Sequence, residues 1–90
     1  MQQPILEVRF EYCAPCRYTE RVLALTNEIL SDREIEFYVA SWTIVPGSGG
    51  VFELIVNGEL LFSKKALGRH AEPGEIRSLL LNRIDDLKAL

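Results

Sequence analysis

The sequence predicts an α/β fold of two layers, a four-stranded mixed sheet with helices packed on it in the order β-α-β-β-β-α. Three observations carry that expectation. The chain opens on an apolar alternation of strand period that gives way to a helical period just past Cys13-Ala14-Pro15-Cys16. An Asn57-Gly58 step separates two short apolar runs, the strongest short-range signal for a hairpin. The chain then closes on an apolar stripe of helical spacing.

Taken in order, Leu6, Val8, Phe10 and Tyr12 alternate with Glu7, Arg9 and Glu11, so residues Ile5 to Tyr12 read as strand one. Tyr18, Val22, Leu25 and Ile29 then fall on one helical stripe, with Pro15 placed in the first turn, where its missing N–H is no loss. This helix is expected to stop near Ser31-Asp32. Ile35, Phe37 and Val39 alternate with Glu34, Glu36 and Tyr38 as strand two, which makes strands one and two a parallel pair with a right-handed crossover. Ser41 to Gly50, containing Pro46 and rich in glycine, reads as the connection. Val51 to Val56 and Glu59 to Lys64 form the antiparallel hairpin of strands three and four. Ala66 to Glu72 reads as a loop. The last helix starts around Pro73-Gly74, with Ile76, Leu79, Leu80, Ile84 and Leu87 as its stripe; Glu72 and Glu75 lie near the positive end of its dipole and Lys88 near the negative end.

That order is a thioredoxin-like core in its minimal form, one domain over residues 1–90. In the hairpin, Phe52, Leu54 and Leu61 are expected on one face and Val51, Ile55, Leu60 and Phe62 on the other, so both faces are apolar. Two helices on one side leave the second face uncovered. The expectation is that Ser41 to Gly50, with Trp42, Ile44 and Val45, covers part of it, or that it serves self-association as a homo-oligomer or a protein partner.

Composition narrows the function classes. A hydrophobic content of 48% with 26% charged residues is that of a folded globular chain. The net charge of −3 argues against general affinity for nucleic acid or an anionic membrane. No apolar run approaches the roughly 18 residues of a membrane span, and Met1-Gln2-Gln3-Pro4 opens no charged region followed by an apolar one, so the cytoplasm is the expected address. Two cysteines are too few for the disulfide framework of a small secreted scaffold.

Those cysteines, Cys13 and Cys16, are the candidate catalytic residues. A Cys-x-x-Cys pair at a strand-to-helix junction can be both exposed and acidified, because the unpaired N–H groups of a first helical turn stabilise a thiolate. With a thiol pKa of about 8.5 only roughly 3% is thiolate at neutral pH, against about half at a pKa near 7. The expected mechanism is thiol–disulfide exchange, Cys13 attacking and Cys16 resolving the mixed disulfide. The plainer alternatives are two small buried hydrophobes, or a zinc half-site for which His70 is the only other soft ligand. No cofactor or metal is implied. His70 reads as a solvated loop histidine, Gly47-Ser48-Gly49-Gly50 as a turn and not a phosphate cradle, and Lys64-Lys65 as a guard on a sheet edge. Trp42 is divided between packing on the sheet and lining a surface near the thiols.

Tyr12-Cys13-x-x-Cys16, Gly49-Gly50-Val51-Phe52-Glu53 and Asn57-Gly58-Glu59-Leu60-Leu61-Phe62-Ser63-Lys64-Lys65 together resemble the selenoprotein W, T and H group, the Rdx family, in a cysteine-containing prokaryotic form. Its selenoprotein members commonly carry selenocysteine at the position matching Cys16. The resemblance implies a thioredoxin-like fold and a redox role in cell redox homeostasis, with protein thiols or glutathione as redox partner. Two departures stand out. Members often have Gly-x-Phe-Pro where this chain has Gly68-Arg69-His70-Ala71, and the cis-proline that precedes strand three in thioredoxins has no counterpart, Pro46 lying five residues ahead of Val51. The rival reading is a noncatalytic interaction module whose Cys13/Cys16 pair switches a binding surface on oxidation.

Overall fold

The computed structural model describes residues 4–90; the reading of Met1-Gln2-Gln3 as no leader lies outside them. The elements are β1 (Leu6–Cys13), α1 (Thr19–Leu30), α2 (Arg33–Glu36), β2 (Val39–Gly47), β3 (Phe52–Val56), β4 (Glu59–Ser63), α3 (Lys64–Leu67) and α4 (Glu75–Lys88). The sheet runs β2-β1-β3-β4, with β1 parallel to β2 and antiparallel to β3, and β3 antiparallel to β4. This is the expected mixed four-stranded sheet of a thioredoxin-like fold. No helix among the described residues is long and apolar enough to cross a membrane.

The alternation in β1 does what its period requires. Leu6, Val8, Phe10 and Tyr12 are buried with Phe52, Leu54 and Val56 of β3, Val22 and Ile29 of α1, and Ile76, Leu80 and Ile84 of α4, in one core. Both long helices therefore lie on one face of the sheet.

Strand two lies further along the chain than expected. Ile35 is fully buried, but in α2, a single turn whose N-cap Asp32 accepts a hydrogen bond from the Glu34 amide at 3.0 Å. Asp32 is further tied to Arg77 of α4 at 2.7 Å. An apolar residue between acidic ones fits one helical turn as well as a strand, and the Asp32 cap decides the case. The segment read as a connection is β2 itself, paired with β1 from Leu6↔Val39 to Cys13↔Gly47. Pro46 is tolerated there because β2 is an edge strand, where one missing donor costs no inner ladder bond. Its inward residues Trp42 and Ile44 pack on the core, and the Trp42 Nε1–H donates to Thr26 Oγ1 of α1 at 3.0 Å. The Trp42 ring lies 5.7 Å from Phe10, so this side chain joins sheet to helix.

The hairpin turn has Asn57 and Gly58 at φ of 52° and 81°, the positive pair a type I′ turn demands. Asn57 also reaches back to β1, accepting from the Glu7 amide at 2.8 Å and donating to the Ile5 carbonyl at 3.1 Å. A bulge then alters the expected faces. Leu54 pairs with Phe62 and Ile55 with Leu60, leaving Leu61 without a partner in the ladder. The extra residue turns Phe62 into the core, where it is 2% exposed, and leaves Leu60 52% exposed. The outer face is consequently less apolar than expected, with Glu7, Arg9 and Glu11 of β1 beside Ser41, Thr43 and Val45 of β2. The Ser41 to Gly50 segment does not fold across it.

Two measurements check this packing. Ile29→Ala should cost about 2–5 kcal/mol in urea unfolding, because its fully buried side chain leaves a cavity between α1 and the sheet. A double-mutant cycle of Trp42→Phe and Thr26→Val should return a coupling of about 0.5–1.5 kcal/mol, the net worth of one partly buried hydrogen bond. A coupling of zero would remove the join between β2 and α1.

Candidate active site

Cys13 is the last residue of β1, and its backbone is committed on both sides. Its N–H donates to the Val51 carbonyl at 2.8 Å, and its carbonyl accepts from the Tyr18 amide at 3.2 Å. Between these, the Ala14 carbonyl accepts from the Arg17 amide at 3.0 Å, closing a β-turn with Pro15 at its second position. There the ring's fixed φ suits the turn. The Ala14 amide donates to Gly47 of β2 at 3.0 Å, which pins the turn to the sheet edge. Pro15 thus serves this turn and not the first turn of α1, which begins at Thr19.

Arg17 leaves the turn at φ 64°, a left-handed conformation unusual for a residue with a side chain. It carries the chain into α1, whose N-cap Tyr18 offers no side-chain hydrogen bond. The amides of that first turn keep their positive end toward the Cys16 side of the junction.

The two sulfurs are bonded as a disulfide, with the Cα atoms 5.3 Å apart. Their surroundings differ. Cys13 is 1% exposed at the end of β1, whereas Cys16 lies exposed on the turn. Accessibility therefore runs against the expected order of roles, in which Cys13 attacks and Cys16 resolves. The expected pair is together; its solvent-facing member is Cys16.

Cys16 opens onto a cleft of about 680 Å³ between α1 and the segment Ala71 to Gly74. Arg17, Arg21 and Leu25 line the α1 side, with Glu20 and Glu28 also on the wall. The described residues give Arg17 and Arg21 no ion-pair partner, so their charge is free to favour a thiolate at Cys16. The described residues include no cluster of His, Cys, Asp and Glu suited to a metal ion.

Several neighbours were misjudged from sequence. His70 is a loop residue but only partly solvated: its ring meets Tyr18 edge-on at 4.7 Å and Phe52 at 5.7 Å, and its Nδ1 is buried without a hydrogen-bond partner. Burial, then the charges of Arg21 and Lys64, hold its pKa below the ordinary histidine value. Lys64 and Lys65 do not act as an edge guard. Lys64 Nζ stands 5.7 Å over the Tyr18 ring, and Lys65 Nζ lies beside Gly49. No local pattern in the sequence could have drawn His70 and Lys64 to this end of the sheet, since the bulge in β4 and the single turn of α3 place them there. Gly49 and Gly50 do form a turn, both at positive φ, that carries β2 into β3 beside the cysteine pair. Trp42 belongs to the sheet–helix join described above and has no part in this cleft.

Comparison with known proteins agrees with this geometry. The chain is similar over 88% of its length, at 23% identity and a TM-score of 0.79, to a selenoprotein W-related protein from Vibrio cholerae, 96% of which is covered. It is similar over 90% of its length, at 27% identity and a TM-score of 0.70, to a Bordetella parapertussis protein, 95% of which is covered. Among curated proteins none matches significantly. The Rdx family model matches residues 7–82, from the second residue of β1 into α4, and the chain belongs to that family.

Proposed function

We propose that this one-domain protein is a cytoplasmic thiol–disulfide oxidoreductase of cell redox homeostasis, with Cys16 as attacking thiol and Cys13 as resolving thiol. The observation that carries the reading is the asymmetric pair: an exposed Cys16 on a turn, bonded to a buried Cys13 at the end of a strand. In the reduced protein, the Cys16 thiolate attacks one sulfur of a disulfide R–S–S–R′, forming a Cys16–S–S–R bond and releasing R′S⁻. The Cys13 thiolate then attacks Cys16 Sγ and releases RS⁻. Two electrons pass from the dithiol to the substrate, and the protein is left as the Cys13–Cys16 disulfide. Disulfides of proteins or of glutathione are the proposed substrates, and the exchange requires no metal or bound cofactor.

The local electrostatics support the direction of attack. A thiolate on the exposed turn gains from the α1 first-turn amides and from Arg17 and Arg21, while a thiolate at Cys13 pays for burial. Glu20, Glu28 and Glu72 oppose the effect from the cleft wall.

Variants separate this reading from a redox-switched binding module. Cys13→Ser leaves Cys16 to attack with no resolving thiol, so mixed disulfides should accumulate on incubation with glutathione disulfide or oxidised protein substrates and vanish with dithiothreitol. Cys16→Ser should trap little or nothing. If neither variant forms a mixed disulfide, exchange chemistry is absent and the module reading stands; trapping by Cys16→Ser alone would restore the opposite order of roles. In the reduced protein, Arg17→Gly should slow alkylation of Cys16 at pH 7 by about 2–5-fold through a raised thiol pKa. An unchanged rate would show that the arginine does not act on the thiol.

A further inference from the structure

The segment from Gly68 to Gly74 borders the proposed exchange site but has no part in the exchange itself. It forms one wall of the cleft at Cys16, through Ala71, Glu72, Pro73 and Gly74. It is held by two kinds of contact. Arg69 forms a paired contact with Glu75 across the segment, 2.7 Å and 3.0 Å, while Glu75 also accepts from the Glu72 amide at 2.9 Å. Next to Arg69, the His70 ring packs against Tyr18 and Phe52.

We propose that His70 is a proton-sensitive positioning residue: its neutral ring, wedged against Tyr18 and Phe52, holds the Gly68 to Gly74 wall closed beside Cys16, and protonation releases that wall. The inference rests on the exchange reading for its consequence, since the wall borders the proposed attacking sulfur, but not for the clamp itself.

The argument starts from one atom. Nδ1 is buried and has no partner among the described residues. A neutral ring can leave a bare lone pair at that position, whereas a protonated ring carries an N–H there with no acceptor, an unmet donor in an apolar slot. The surrounding charges oppose protonation too. Arg21 faces His70 from α1 and Lys64 from the start of α3, while Tyr18 and Phe52 supply ring surface from α1 and β3. The Tyr18 face that could receive a cation already has Lys64 over it. On its own segment, Arg69 and the Glu72 amide are bonded to the Glu75 carboxylate, and no carboxylate among the described residues bonds His70 Nδ1.

The sign follows. The folded protein disfavours the charged imidazole, so its pKa lies below the ordinary value of 6.5. The clamp is complete above that ordinary value and weakens as the pH falls from it toward the folded-state value. The other fastening does not respond in this window. Glu75 is held down to about 2, chiefly by its hydrogen bond to Arg69 and then by the Glu72 amide, so it stays ionised well below the range in which His70 titrates. A wall that loosens between pH 7 and pH 5 thus reports His70.

The test is an NMR titration of the full chain from pH 7.5 to 5, following the His70 ring, its contacts with the Tyr18 and Phe52 rings and the amide shifts of residues 71, 72 and 74, in wild type and in His70→Phe. Phenylalanine fills the slot without a titrating nitrogen. In the wild type the ring contacts are expected to be lost and the Ala71, Glu72 and Gly74 amides to shift, with the midpoint of a His70 ring signal that lies below the ordinary value. The His70→Phe amides should not move across the range. Equal shifts in both proteins, or a His70 ring that titrates at the ordinary value with no change at 71–74, overturns the proposal. The ring titration in wild type decides the matter even if His70→Phe does not fold. Mixed-disulfide trapping by Cys13→Ser is read separately at pH 7.5, where the clamp is closed. Failure to trap there removes the exchange reading and leaves the clamp; normal trapping without the pH-linked loss removes the clamp alone.

Discussion

The pairing of β1 on both of its edges is the constraint on which the rest of the molecule depends. One strand of eight residues carries a parallel ladder to β2, an antiparallel ladder to β3 and four buried side chains of the core. Such a strand has no freedom at its end, and its end is Cys13. The backbone of Cys13 is spoken for by Val51 and Tyr18, and its side chain is buried. Whatever adaptability the dithiol has must then reside in the Ala14 to Arg17 turn, which carries Cys16 into solvent.

Charge is distributed to match. The chain is acidic overall, with a formal net charge of −3. Away from the turn, four of its five arginines are paired: Arg9 with Glu11, Arg69 with Glu75, Arg77 with Asp32 and Arg83 with Glu59. Around the turn, Arg17, Arg21, Lys64 and Lys65 have no such partner among the described residues. Glu20, Glu28 and Glu72 share the cleft wall, so a thiolate at Cys16 gains from unpaired Arg17 and Arg21 beside it and not from a net positive field.

The residues by which the family resemblance is recognised turn out to serve two purposes. Gly49 and Gly50 supply the positive φ that the β2–β3 turn requires, and Phe52 fills the core. Ser63 accepts from the Ala66 amide as the cap of α3 and donates its own hydroxyl to Glu53 at 3.0 Å, joining β4 to β3. These are structural tasks, yet each fixes something at the edge of the redox turn: the glycine turn lies beside it, and the Ser63 cap sets the direction in which Lys64 and the His70 segment leave the sheet.

By itself the sequence determined what depends on periodicity and on local turn chemistry. The alternation of β1, the stripes of α1 and α4, the Asn57-Gly58 turn and the junction position of Cys13 and Cys16 are all local facts, legible because spacing alone sets which side chains share a face. Only the tertiary structure decided the rest. Arg33 to Glu36 became a helical turn because Asp32 caps it, and Val39 to Gly47 became a strand because β1 had an open edge that even a proline could join. The bulge at Leu61 reversed the face of Phe62. Exposure separated Cys16 from Cys13, and His70 packed its ring against Tyr18 and Phe52. Each of these outcomes depends on competition for space and hydrogen bonds among residues distant in the chain, a competition that no window of sequence contains.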